Sequence, residues 1–277
     1  MIAQFLSYTF IQNALLASLI GAITAGIIGT YVVSRRMVFI TGGITHASFG
    51  GLGLGFFLGI NPLAGAAVFG LISGLGVEYL SKYQKIREDS VIAMIWSLGM
   101  AVGIIFISLA PGYAPNLMSY LFGNILSVSR SDLVVMSGLM VLVLAIFIPF
   151  FRLIQYITFD EDFARTSRAP VSLFKYILAG LVALTAVVYI RVAGIILVLS
   201  LLTIPQNTAL IFSNNLKRII FLSIGIGFAG SLTGLILSYT LNIPSGAAII
   251  FSLVLIYLLA SGVKSVIRTR ERKTRPG

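Results

Sequence analysis

Of 277 residues, 58% are hydrophobic and only 10% are charged, against roughly 25% charged in an average soluble domain. Too little polar surface remains to cover a water-soluble fold of this length, so the composition excludes one and indicates a single polytopic membrane domain over residues 1–277. The net charge of +11 stands in short patches between apolar runs, which suits loops facing anionic lipid and argues against nucleic acid as a partner; the absence of cysteine excludes disulfides and thiolate metal ligands.

Taken in chain order, the apolar runs predict an all-α transmembrane bundle of about nine segments, near 12–33, 38–60, 63–80, 90–110, 132–151, 171–190, 192–213, 219–241 and 245–263. Most approach the ~20 residues that cross a bilayer as a helix. The first lacks the basic flank of a cleavable leader and reads as a retained span. The second carries the sole histidine, His46, about eight residues or roughly 12 Å from its inner end at the helical rise. An ionisable group at that depth costs ~2.5–3.5 kcal/mol when charged, which makes it a functional candidate. Gly42 and Gly50 flank it one turn away, with Ala47, Gly51, Gly55 and Gly59 on a neighbouring stripe. Small residues let helices approach closely in lipid, and the two flanking glycines leave room for an imidazole and something bound to it. Neutral imidazole ligates transition metals; a histidine here would equally serve as a hydrogen-bonding residue between helices, and both readings stand on the residues alone. The Gly50–Gly59 run sits on an apolar helix with no strand before it, so it is a packing surface and not a phosphate loop.

Glu78, one turn from the inner end of the third segment, is placed to pair with Lys82. The Gly/Pro-bearing stretch Pro111–Ser131, with Leu121-Phe122-Gly123-Asn124-Ile125-Leu126, leaves eight to ten crossings open. After the fifth segment, the region near 157–170 sets three carboxylates between two phenylalanines in Phe159-Asp160-Glu161-Asp162-Phe163-Ala164-Arg165. Aromatics are out of place in a loop that touches only water, so this reads as a short amphipathic helix docking on a partner, with Asp160 and Glu161 favourable at its positive end. In the seventh segment Pro205 cannot donate to the Leu201 carbonyl, and a break is expected. Freed carbonyls at membrane depth are tolerated around a cavity enclosed by protein, which makes Thr203, Gln206 and Asn207 candidates to line a hydrated path. The alternative is a kink whose polar groups bond to neighbouring helices.

With nine crossings and the N-terminus outside, only Arg130 and Arg191 of the 19 basic residues lie outside. The C-terminus, with its basic tail 264–277, is then cytoplasmic under the positive-inside rule.

The stretches Gln12-Asn13-Ala14-Leu15-Leu16, Val32-Val33-Ser34-Arg35-Arg36-Met37, Thr45-His46-Ala47-Ser48-Phe49-Gly50, Leu121 to Val128, Phe159 to Arg165, and Val192 to Val198 followed by Leu201-Leu202-Thr203-Ile204-Pro205 occur in this order over nearly the whole chain. Together they resemble the permease subunits of ABC transporters that import zinc, manganese or iron. The resemblance implies a type II importer in a plasma or bacterial inner membrane. Its parts would be two permease copies around a central path, separate cytoplasmic ATPase subunits that hold the ATP, and an extracellular or periplasmic solute-binding protein. The permease itself would catalyse no covalent reaction and bind no cofactor; the divalent ion is its cargo. The resemblance puts His46 on the metal path with Thr45 beside it, and matches Phe159, Asp160, Glu161, Phe163 and Arg165 to the helix that couples to the ATPase. Two positions depart from the pattern. Gly42 stands where many members carry an aspartate, which leaves the metal open, and Arg168 stands where a glycine commonly follows the coupling motif. Two other functions compete: an ion-coupled secondary carrier, which usually brings intramembrane carboxylates that the deep spans here do not offer, and a membrane scaffold that transports nothing.

Overall fold

The computed structural model describes residues 8–83, 87–111, 123–166 and 170–274. Leu121 and Phe122, Arg168, and the side chains of Glu78 and Lys82 lie outside the described residues. Among those described, every element is helical: α1 (Thr9–Ser34), α2 (Val38–Leu58), α3 (Pro62–Tyr83), α4 (Glu88–Leu109), a 3₁₀ turn (Ile125–Ser127), α5 (Arg130–Phe147), α6 (Phe151–Phe159), α7 (Glu161–Thr166), α8 (Val171–Leu201), α9 (Ile204–Phe212), α10 (Leu216–Leu241) and α11 (Ser245–Thr274).

Glycine decides how α2 packs. Lipid supplies no hydrophobic force between helices, so association depends on close contact and dispersion. Gly50 lies on the Gly99 backbone of α4, Gly51 on Gly65 of α3, and Gly53 on Gly103 of α4, each so close that a Cβ would strike the facing carbonyl. Threonine and serine hydroxyls on α1 and α2 donate back to their own helix, as Thr30 does to the Gly26 carbonyl (2.6 Å) and Ser48 to that of Ile44 (2.8 Å), leaving the backbones free to touch. The glycine stripe read from the sequence is therefore a packing surface, and the space expected beside His46 at Gly50 is filled by Gly99 and Phe69.

The second half of the bundle turns on a fold-back within α8. Val171–Phe212 is 42 continuous residues, about 63 Å as one helix against a hydrocarbon core of about 30 Å. The strain is resolved at Gly194, whose φ of 75° and ψ of 161° interrupt the helix. Before it, Ala183 stands beside Gly74 and Ile44; after it, Leu199 stands beside Gly42. Residues on either side of Gly194 thus meet the same turn of α2, and the chain has reversed. The predicted break between segments at Arg191 is displaced to Gly194: Arg191 stays helical and half-exposed while its Nε forms an ion pair with Asp132 at 3.2 Å. A charge at a helix end that reaches the interface and finds a partner needs no loop.

Close by, Gly123 (φ 67°) presses its backbone against Ala193 and Gly194, and Asn13 of α1 donates to the Val128 carbonyl at 3.0 Å. Ser129 and Asp132 cap α5 reciprocally. The segment around the 3₁₀ turn thereby fastens the end of α1, the start of α5 and the apex of the α8 hairpin together.

Six helices among the described residues are long and apolar enough to cross a membrane: Thr9–Ser34, Asp89–Leu109, Arg130–Phe147, Val171–Phe212, Leu216–Leu241 and Ser245–Ile267. That is fewer than the nine predicted segments, for identifiable reasons. Glycine, threonine and His46 dilute the apolar character of α2, the side chains of α3 are fully described only over its apolar stretch Pro62–Val77, and the sixth and seventh segments run together through α8. The last helix also continues to Thr274, so most of the predicted basic tail extends α11.

Candidate metal path and coupling surface

His46 stands midway along α2 and is partly buried. Its ring lies flat on the indole of Trp96 from α4, with centroids 4.1 Å apart and planes 10° from parallel. Its Nδ1 is buried without a hydrogen-bond partner among the described residues. One turn earlier, Gly42 faces Trp96 and Leu199, with 3.8 Å from its would-be Cβ to either side chain. The patch thus joins α2, α4 and the returning limb of α8. It offers one imidazole and no carboxylate; no group of three or more His, Cys, Asp or Glu able to hold a metal occurs among the described residues.

The other candidates divide. Thr45 is fully buried and donates to the Thr41 and Gly42 carbonyls at 2.9 and 2.8 Å, turned back on its own helix. Thr203 donates to the Leu199 carbonyl at 2.7 Å, and the exposed Asn207 donates through Nδ2 to the Thr203 carbonyl at 2.8 Å. Leu199, Thr203 and Asn207 therefore form one stripe that begins beside Gly42. Gln206 lies elsewhere: fully buried, its Nε2 donates to Ala25 of α1 at 2.8 Å and to the Leu201 carbonyl at 3.1 Å. Leu201 is the carbonyl that Pro205 leaves without its helical donor. The glutamine after the proline supplies that donor and stitches the break to α1.

At the opposite level of the bundle, α7 is organised by Glu161. Its carboxylate accepts from Arg165 at 2.7 Å and from Arg35 at 3.0 Å, with Lys175 at 3.5 Å. Arg35 also donates to the Ile157 carbonyl at 3.1 Å. Partial burial alone would raise the Glu161 pKa; the Arg165 hydrogen bond, the Lys175 charge and the Arg35 hydrogen bond outweigh it and hold the group down at about 2. Asp160 caps α7 by accepting from the Phe163 amide at 2.9 Å. Ala164 is fully buried, whereas Phe159 and Phe163 are 59% and 50% exposed. Tyr156 packs edge-on against Phe163. The result is a fixed helical turn that presents aromatics outward, with Arg35 tying it to the α1–α2 junction.

Trp96, Leu199 and Lys175 carry roles that sequence reading did not assign. Trp96 is the one tryptophan in the chain, a usable signal, but nothing in the spacing of α4 reveals which residue of α2 it meets.

Three comparisons bear on identity. A model of the ABC 3 transport family matches residues 7–264. The manganese import system permease protein ScaB of Streptococcus gordonii is 32% identical over 268 residues, covering 97% of this chain and 96% of its own length. The manganese transport system membrane protein MntC of Halalkalibacterium halodurans is 33% identical, covering 93% and 88%. Among solved structures, PsaBC from Streptococcus pneumoniae in complex with Fab has a chain that superposes with a TM-score of 0.84 at 33% identity, over 94% of this chain and 95% of that one. The polytopic helical bundle and these matches agree: the chain belongs to the ABC 3 transport family and is the membrane permease subunit of an ABC-type importer of metal ions.

Proposed function

We propose that the ion passes along the α2 face carrying His46, and that it is a divalent zinc, manganese or iron ion bound briefly by the imidazole. The observation that carries this reading is an imidazole midway along a membrane helix, oriented by Trp96, with a buried nitrogen that has no hydrogen-bond partner among the described residues. A transport site must release its ion as well as hold it, so one nitrogen ligand supplemented by water, by Thr203 and Asn207, or by a second permease copy suits the task. The named relatives that specify a metal specify manganese.

Two permease copies enclose the path, and a cytoplasmic ATPase docks on the aromatics of α7, with Phe159, Asp160, Glu161, Phe163 and Arg165 forming the coupling element. ATP binding on that partner moves α7, and Arg35 passes the motion to the junction from which α2 begins. An external solute-binding protein delivers the ion. The chain crosses the membrane nine times, with α8 before Gly194 and the limb after it as separate crossings, the N-terminus outside and the C-terminus in the cytoplasm. The fold-back at Gly194 supports this path, as does the gathering of Arg35, Arg165 and Lys175 at one end.

The test is uptake of radioactive manganese, zinc and iron by cells carrying His46→Ala or Phe163→Ala. His46→Ala is expected to abolish most uptake while the ATPase still copurifies; Phe163→Ala is expected to break copurification or leave ATP hydrolysis uncoupled from uptake. Normal uptake by His46→Ala would remove His46 from the path.

A further inference from the structure

A second feature lies away from His46, on the outer surface of the bundle. Between α1, α5, α6 and α10 runs an open groove of about 640 Å³ whose lining is almost entirely apolar, including Ile27, Phe147, Phe151, Phe221 and Ile224, with Lys217 as the single charged group. Phe221 and the neighbouring Ile148 are 64% and 70% exposed, so the groove is open to the surroundings along its length.

Its dimensions and polarity specify an occupant. Ile224 lies against Gly26, and Lys217 is seven residues, about 10 Å, nearer the α7 end of the molecule. Extending the groove past Gly26 to Ile23 gives about 15 Å, half of a hydrocarbon core of about 30 Å. The groove therefore spans one leaflet, with a cation where headgroups lie. Arg152 follows Phe151 and Arg218 follows Lys217; all three cations are exposed, and none is in an ion pair among the described residues. A second copy of this chain is a poor occupant, because a two-fold contact there would set one cationic mouth against another. An apolar slot one leaflet deep under unpaired cations fits a lipid with an anionic headgroup.

We propose that this groove is a binding site for one anionic phospholipid, with an acyl chain against Phe147, Phe221 and Ile224 and its phosphate at Lys217. The lipid braces α10 against α1 and α5 on the side of α7.

Native mass spectrometry of the full chain, released from bilayers containing equal phosphatidylglycerol and phosphatidylcholine, tests this directly. The wild-type chain is expected to retain one phosphatidylglycerol in preference to phosphatidylcholine, and Lys217→Gln to reduce that preference about fivefold, the effect of one basic group at a membrane surface. Equal retention of the two lipids, or a preference unchanged in the triple variant Arg152→Gln, Lys217→Gln, Arg218→Gln, overturns the proposal. A photoreactive residue at Phe221 supplies a second measurement that does not depend on those charges: it is expected to yield a phospholipid adduct, and a chain-to-chain adduct in its place would assign the groove to a permease interface.

Discussion

Gly194 occupies a backbone region, φ 75° and ψ 161°, that is close to glycine-only and costs other residues ~1–3 kcal/mol. Gly123 backs directly onto it, so close that a Cβ on Gly123 would strike the Ala193 carbonyl and the Gly194 amide nitrogen. Gly194→Ala is expected to destabilise the protein by about that amount and to lower its melting midpoint in detergent by several degrees. Gly180→Ala, on the same helix where a Cβ meets open space, is expected to be neutral or slightly stabilising. Equal midpoints for the two variants would show that the fold-back does not depend on Gly194. Trp96 is the residue-scale prediction for transport. Flat stacking on His46 fixes the imidazole plane, and an aromatic pair supplies ~0.5–1.5 kcal/mol beyond burial, equivalent to a roughly 2- to 10-fold change in binding. Trp96→Leu is therefore expected to raise the KM for metal uptake within that range, with Trp96→Phe closer to wild type; an unchanged KM in the leucine variant would reduce the stack to packing.

At the scale of elements, α7 is too short to hold its shape by helix propensity alone. It holds because Glu161 collects Arg35, Arg165 and Lys175, and because Ala164 is buried beneath it. The folded carboxyl titrates at about 2 against an ordinary 4.5. A depressed acid stabilises the folded form above its unfolded pKa and loses that contribution as pH falls through the interval to the folded value. Hydrogen exchange of residues 157–166 is thus expected to quicken, beyond its intrinsic pH dependence, as pH is lowered from 4.5 toward 2. Glu161→Gln should show the faster exchange already at pH 7, with the extra acid dependence gone. An identical profile in wild type and Glu161→Gln would mean that packing of Ala164 holds α7 without the ion pairs. The α2 stripe works in the complementary way: it has no charges, and Gly50, Gly51 and Gly53 hold three helices by contact alone.

For the whole molecule, the two ends of the bundle carry distinct fastenings. Asn13, Gly123, Val128, Asp132, Arg191 and Gly194 meet at one end, and Arg35, Ile157, Glu161, Arg165 and Lys175 at the other. The natural chain has no cysteine, so single cysteines report sidedness cleanly. A membrane-impermeant thiol reagent on intact cells is expected to label Arg130→Cys and to spare Arg218→Cys, both positions being exposed; the reverse pattern would invert the proposed topology.

Much of this architecture was legible in order along the chain. Apolar run lengths located the helices, because a bilayer demands about 20 residues per crossing and leaves few alternatives. Basic residues stand between the apolar runs, many of them at helix ends, for an equally general reason. The motif at Phe159–Arg165 was legible as a short helix with aromatics that water alone would not favour, and α7 does carry Phe163 exposed beside Phe159. The sequence missed the exact apex of α8 because Arg191 looked like a loop charge, whereas its partner Asp132 comes from another helix. It read free space beside His46 because a glycine in sequence is the same whether its missing side chain leaves a cavity or admits a neighbouring backbone. Composition and period thus determined by themselves that this is a polytopic helical membrane protein with a histidine on a glycine-rich span and a short amphipathic turn at Glu161, since those follow from the solvent and from local spacing. That Trp96 meets His46, that Gln206 ties the break at Pro205 to Ala25 of α1, that Arg35 and Lys175 join at Glu161, and that an apolar groove opens beside Lys217 were decided only by the tertiary structure. Each joins residues far apart in the chain, and the packing of helices alone sets which of them touch.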